Sequence, residues 1–242
     1  MELYYHKRIP ECSMPDGGIS NNYIDEKMVD LSSYFGGEID IDATYYKNGI
    51  NGATEKCFVR VGVAKKLERA LDFLPDNLTF KVFDAWRPLS VQQEIYKGYY
   101  EVVKSQHNNW TDRQIESETV KFASKPNFDM QIPAVHSTGG AIDLTIAYKD
   151  SGEMLDMGTL FDEFTALSNT NSFENSSNEK VKENRRLLYW SMIRAGFTNL
   201  PSEWWHYDYG DRFWSYYKKQ PALYCGIQSI EFMTKKGILK NT

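Results

Sequence analysis

Gly139-Gly140-Ala141-Ile142-Asp143-Leu144-Thr145-Ile146-Ala147 is the stretch on which the fold turns. A glycine pair gives a tight turn, and the run after it is β-branched and alternating, so it predicts a strand over 141–147. Working outward, Leu78 to Ala85 (LTFKVFDA) alternates apolar and polar residues and predicts a half-buried strand, closed by Arg87-Pro88. Phe197 to Asp208 reads as a strand pair or one bent strand. Helical periodicity occupies the spaces between. Val63, Leu67, Ala70, Leu71 and Leu74 share a face within Val61–Leu74. Pro88 and Ser90 open a helix to about Lys104, with Val91, Ile95, Tyr99 and Val102 on one side. Asp112–Ala123 and Glu179–Ala195 complete the set, the last capped by Gly196. No βαβ alternation is present, so the fold class is α+β, a small antiparallel sheet flanked by helices.

The first 38 residues mix Pro, Gly, Asn and Ser with single hydrophobics and read as an irregular arm wrapped on the body. Pro126–Pro133 is a loop, and Ser168–Asn178 (SNTNSFENSSN) is polar enough to predict a disordered or lid-like segment. With no internal repeat and no linker, residues 1–242 are expected to form a single domain.

Charge narrows the partners. The net charge is −5, and no basic run is longer than a pair such as Lys235-Lys236, with Lys240 nearby, which argues against a concentrated duplex-binding face and makes nucleic acid an unexpected partner. The N-terminus has no apolar core of a signal peptide, and no stretch reaches the eighteen or so apolar residues that span a bilayer, so no membrane association is expected. Cys12, Cys57 and Cys225 are odd in number and widely spaced, neither a disulfide framework nor a metal clip. A reduced, cytoplasmic setting is the expectation.

Two of the four histidines sit in the two most distinctive segments, His136-Ser137-Thr138-Gly139-Gly140-Ala141-Ile142-Asp143 and Glu203-Trp204-Trp205-His206. Seven residues apart on an unbroken strand, His136 and Asp143 would face opposite sides of a sheet. The glycine pair breaks the strand and lets the chain fold back, so that both side chains can point at one spot. Glu203 and His206 are three apart, which a helical or 3-10 turn aligns and a regular strand does not, so a kink is expected at Ser202–Trp204. Two imidazoles and a carboxylate leave a fourth position for water, the arrangement of a catalytic zinc site. Glu203 would be the base that metal-assisted hydrolysis also needs. Each half of this pattern is weak alone. A histidine beside two tryptophans could equally be a core imidazole donating to a carbonyl. It is the combination that points to a metal.

HSTGGAID followed by EWWH resembles the HxxGxAxD and ExxWH motifs of the D-alanyl-D-alanine dipeptidases, zinc peptidases with a hedgehog/D,D-peptidase-like α+β fold. The likeness runs from about Ile39 to Tyr209. Asp84-Ala85-Trp86-Arg87-Pro88 is similar to the family's D-x-[YW]-R-P, and Met157-Gly158-Thr159-Leu160-Phe161-Asp162 to its M-G-[ST]-x-F-D. The stretch from Asp42 to Arg60 is more loosely similar to the family's N-terminal segment. The resemblance implies one zinc per chain held by His136, Asp143 and His206, and Glu203 as base and then acid. It further implies that Arg87 stabilises the oxyanion and that Asp162 meets the substrate ammonium. Without it, Arg87 would read as a salt bridge anchoring the strand end and Asp162 as a charge at a helix start near Glu163 and Phe164. The chain departs from the pattern at Ala134-Val135-His136, where the family has Ser two residues before the histidine. The stretch from about Gln106 to Ile132 is also longer than a minimal dipeptidase needs.

The expected function is therefore zinc-dependent hydrolysis of the small dipeptide D-Ala-D-Ala to two D-alanines by a zinc-activated hydroxide. The nearest rival is a D,D-carboxypeptidase or endopeptidase on peptidoglycan stems. A rival of another class is a zinc-stabilised binding module without catalysis, against which Glu203 and Arg87 together argue, since neither is needed to hold metal.

Overall fold

Residues 141–148 form the central strand of a five-stranded sheet, with two strands on either side. The computed structural model of the chain describes residues 6–18, 20–120, 123–129, 132–163 and 165–228. Its strands are β1 (Met28–Asp30), β2 (Asp40–Ile41), β3 (Phe58–Arg60), β4 (Leu78–Asp84), β5 (Ala141–Tyr148), β6 (Thr198–Asn199) and β7 (His206–Asp208). Its helices are α1 (Leu31–Phe35), α2 (Thr44–Lys47), α3 (Val61–Leu71), α4 (Leu89–Gln106), α5 (Asp112–Thr119), α6 (Glu179–Ala195) and α7 (Arg212–Lys218). The main sheet runs in the order β2-β4-β5-β7-β6, and β1 pairs with β3 apart from it. The α+β class expected from the sequence is the one observed.

One face of β5 supplies the core. Ile142, Leu144 and Ile146 join Phe80 and Val82 of β4, Val63, Leu67 and Ala70 of α3, and Leu188, Met192 and Ala195 of α6 in one apolar cluster. Leu67 is fully buried, so trimming it to alanine should cost about 2–5 kcal/mol. By the strand's alternation Asp143 lies on the opposite face. It is directly paired with Asp84 of β4 on one side and His206 of β7 on the other. Directly paired residues of neighbouring strands share a face, so three strands place two carboxylates and an imidazole in one row. A β-bulge between Val82 and Asp84 absorbs Phe83 and keeps Asp84 opposite Asp143.

Several expectations are corrected. The β2–β4 pairing is parallel, so the sheet is not purely antiparallel; β2 is two residues long and shows no alternation to read. The N-terminal arm is irregular only in part, because Met28–Asp30 is a strand and Leu31–Phe35 a helix that Asp30 caps through Ser32 N. On α4 it is Val103 that is buried, while Val102 is exposed. Helix α3 stops three residues short of Leu74, and α5 ends at Thr119, with residues 121 and 122 on the way to Ala123 outside the described residues. Lys235, Lys236 and Lys240 also lie outside them.

The largest correction concerns Ser168–Asn178. Ser168, Thr170 and Glu174 are buried. Glu174 pairs with Arg186 and accepts from Ile9 N at 2.8 Å. Ser168 and Thr170 are bonded to the next functional turn, the Ser168 carbonyl accepting from Trp204 N at 3.1 Å and Thr170 N donating to Pro201 O at 2.9 Å. The polar composition predicted a lid because it hides these partners. The segment is the wall that braces the turn carrying Glu203.

Candidate active site

His136 sits on a 3-10 turn, Val135–Thr138, that ends in Gly139 at φ 72°. That left-handed conformation favours glycine, and a Cβ there would collide with the Met28 side chain. A Cβ on Gly140 would lie 2.7 Å from the Tyr209 carbonyl. Both glycines are therefore required for the fold-back that the sequence suggested. Glu203 lies in the turn before β7, with Glu203 N donating to Leu200 O and His206 N to Glu203 O. The expected kink is present, and it brings Glu203 Oε2 to 4.0 Å from His206 Nδ1.

His136, Asp143 and His206 are all buried, and each offers a ligand atom within 4.8 Å of the others. His136 Nε2 lies 3.1 Å from His206 Nδ1 and 3.3 Å from Asp143 Oδ2, while His206 Nδ1 lies 3.0 Å from Asp143 Oδ1. The outer partners decide where the protons are. His136 Nδ1–H donates to the Ala85 carbonyl at 2.7 Å, and a carbonyl can only accept. His206 Nε2–H donates to Asp208 Oδ1 at 2.8 Å. In the neutral rings, the two nitrogens facing each other then carry bare lone pairs, and a carboxylate oxygen completes the set. Three converging electron-pair donors with no proton between them fit a divalent cation, and the His₂Asp chemistry suits zinc. Burial pushes the Asp143 carboxyl up, but the two imidazoles beside it, His136 first, outweigh that and hold it well below the usual carboxylate range.

The site extends on both sides of this cluster. Arg87 donates from Nε to Asp84 at 2.8 Å, from Nη1 to Gln92 at 2.8 Å and from Nη2 to Asp143 at 3.3 Å. It is thus the strand-end salt bridge that the residues alone suggested, and it also faces the cleft. Its guanidinium lies over the Tyr45 ring at 4.7 Å, and the Tyr45 hydroxyl donates to Asp162 Oδ2 at 2.7 Å. Asp162 has φ 57°, unusual outside glycine and asparagine, and it starts no described helix; Phe164 lies outside the described residues. Burial raises its carboxyl to about 7, against the Tyr45 hydrogen bond and the Arg87 charge. Burial also raises Glu203, with His206 pulling the other way, toward the range in which a carboxylate works as a base.

All six residues singled out in the sequence line one cleft of about 120 Å³, and Ala134 lines it too. Sequence reasoning missed Tyr45, Asp84, Gln92 and Asp208. Asp84 stood inside the quoted Asp84–Pro88 segment, and Asp208 lies two residues after His206 on the same strand face, so both had a signal. Behind Asp208, the fully buried Asp211 caps α7 through Phe213 N and Trp214 N. Burial and the neighbouring Asp208 push the Asp211 carboxyl well up, while the Trp214 N–H it accepts and His206 pull the other way.

A buried His₂Asp cluster beside a carboxylate and a fixed guanidinium, on an α+β scaffold, is the equipment of a metal-dependent hydrolase. The chain belongs to the Peptidase_M15 family, described as D-ala-D-ala dipeptidase, whose model matches residues 26–224. It is accordingly a zinc metallopeptidase. It is 34% identical over 181 residues to a D-alanyl-D-alanine dipeptidase of Synechocystis sp., covering 67% of this chain and 73% of that protein. Over 103 residues it is 36% identical to a D-alanyl-D-alanine dipeptidase of Enterococcus faecium, covering 39% of this chain and 50% of that protein. Among solved structures, VanYB in complex with D-Alanine-D-Alanine is similar at a TM-score of 0.42 and 16% identity, covering 70% of this chain and 82% of that chain.

Proposed function

We propose that His136, Asp143 and His206 hold one zinc ion and that the chain cleaves D-Ala-D-Ala into two D-alanines. The observation that carries this is the set of three lone-pair donors, fixed by Ala85 and Asp208 and facing one another beside Glu203. The bound zinc supplies Lewis acidity and makes water acidic enough to be deprotonated near neutral pH. Glu203 accepts the proton of the attacking water and returns it to the leaving amine nitrogen. Arg87, held by Asp84 and Gln92, presents positive charge to the carbonyl oxygen as it becomes an oxyanion. Asp162 receives the free ammonium of the dipeptide, whose arrival favours the ionised carboxylate.

The rival reading, a carboxypeptidase on peptidoglycan stems, has Ala134 in its favour, since the family's serine hydroxyl is missing from the cleft. A single domain is supported by an apolar cluster that runs from Val29 to Tyr224. No helix among the described residues is long and apolar enough to cross a membrane. The cytoplasmic setting is supported by three free thiols, Cys12, Cys57 and Cys225. There the substrate would be a small cell-wall dipeptide, with no nucleic-acid partner. The test is zinc content together with turnover of D-Ala-D-Ala, L-Ala-L-Ala and a stem pentapeptide. Zinc near one per chain and preference for the D,D-dipeptide are expected. Preference for the pentapeptide would move the chain to the carboxypeptidase reading, and zinc-free protein purified without chelators would remove the metal site.

A further inference from the structure

Three arginines of this fold spend their donors on protein. Arg60 bonds the carbonyls of Thr138, Glu26 and Cys225, and Arg185 those of Met157, Asn169 and Leu167. Arg87 bonds Asp84, Gln92 and Asp143. Arg212 does not follow them. Among the described residues no hydrogen bond or ion pair reaches its guanidinium, and its Nε is shielded from solvent with no partner. A shielded N–H without an acceptor is costly unless something that binds later supplies one.

Its position says what that could be. Arg212 opens α7 and, with Phe213, lines the cleft that holds Asp143 and Glu203. Its guanidinium lies over the Phe213 ring, 4.3 Å from the centroid, which fixes the plane of the fork. In the sheet, β5 has β4 on one side and β7 on the other. Asp162 is tied through Tyr45 and Arg87 to the β4 side, whereas Arg212 follows β7. The charges that act on Arg212 are those of Asp211 and Asp208, which oppose the lowering effect of burial. Asp162 instead feels Arg87, Asp143 and Glu203. A peptide laid across the zinc-facing row therefore meets an anion on one flank and an unpaired cation on the other. Lys125 also lines the cleft, but it is exposed and lies 3.4 Å from Glu116.

We infer that Arg212 takes the free C-terminal carboxylate of the peptide substrate. The inference rests on the peptidase reading above and adds to it the residue that reads the acid end. A planar guanidinium offers parallel N–H donors matched to the two oxygens of a carboxylate, and an amide cannot accept both with equal strength. Arg212 is a specificity residue here, remote from the proton transfers of Glu203.

The test compares D-Ala-D-Ala with its C-terminal amide, and a stem pentapeptide with its amide, on zinc-loaded wild type, Arg212→Gln and Arg212→Lys. Wild type should prefer the free acid by about 10–100-fold in kcat/KM, the range for a lost charge-assisted bond. Arg212→Gln should lose that preference, chiefly through KM, while turnover of the amide, zinc content and discrimination against N-acetyl-D-Ala-D-Ala stay as in wild type. Arg212→Lys should recover part of the preference. An acid-to-amide ratio unchanged in Arg212→Gln would overturn the inference while leaving the peptidase reading intact. Cleavage of the pentapeptide but not the dipeptide would overturn the dipeptidase reading and still test Arg212 on the longer pair. Wild type that cleaves no free-acid peptide overturns both.

Discussion

Asp143 and Asp162 are two buried carboxylates of one cleft, yet the chain builds them in opposite ways. Asp143 lies in the middle of the central strand, paired on both sides by backbone ladders, hydrogen-bonded by Arg87 and flanked by both imidazoles. Its neighbours stabilise the charge, and it is ionised by design of the site. Asp162 lies in a turn with left-handed backbone, and one tyrosine hydroxyl donates to it. Its carboxyl sits near 7, raised by burial. The difference teaches that a metal ligand needs a fixed position and a permanent charge, which sheet register and outer-sphere donors provide. A group that waits for a cationic ligand can be left under-satisfied, because the ligand supplies the missing interaction.

The comparison breaks first if the metal side is wrong. His206→Ala should lose both zinc and activity, since two remaining ligands rarely hold zinc tightly. Glu203→Ala should keep zinc and lower turnover by roughly 10²–10⁴-fold, as expected for loss of a general base. Elemental analysis beside kinetics separates the two, and zinc release by Glu203→Ala would make Glu203 a ligand.

Next in size is the charge on the other side. Asp162→Asn is the cleaner probe, because asparagine tolerates the left-handed backbone better than alanine does. It should lower kcat/KM for D-Ala-D-Ala by on the order of 10²-fold or more, from loss of a partly buried ion pair, with zinc content unchanged. Dipeptide hydrolysis as fast as in wild type would show that Asp162 does not read the ammonium.

The outer sphere sharpens the contrast further. Asp208→Asn removes the carboxylate that orients His206 and should weaken zinc binding by about 10–100-fold in a chelator competition. The same substitution should leave the acid-to-amide preference alone. If zinc affinity does not move, backbone register by itself positions His206. The smallest effect concerns Ala134→Ser. One added hydroxyl is worth about 1 kcal/mol, so the gain in dipeptide turnover should stay near fivefold. A gain that matched the loss in Asp162→Asn would give the serine position, not Asp162, the main part in reading the amino end.

The sequence by itself determined the local parts. Glycines at 139 and 140 dictate a fold-back, alternation over 141–147 dictates a strand, and helical period places α3 and α6, because each of these is a property of neighbouring residues. The spacing of Glu203 and His206 likewise required a turn, which is there. Tertiary structure alone decided which side chains meet across distance. That Asp84, Asp143 and His206 form one row depends on the register of β4, β5 and β7, including a bulge at Phe83 that no local pattern announces. The parallel pairing of β2 with β4 depends on a two-residue strand without periodicity. The pinning of 168–178 depends on Arg186, Ile9 and Trp204 arriving from elsewhere in the chain, so composition misread it as a lid. Whether Arg212 is satisfied is a question about every acceptor around it, and packing is what left its shielded Nε without one among the described residues.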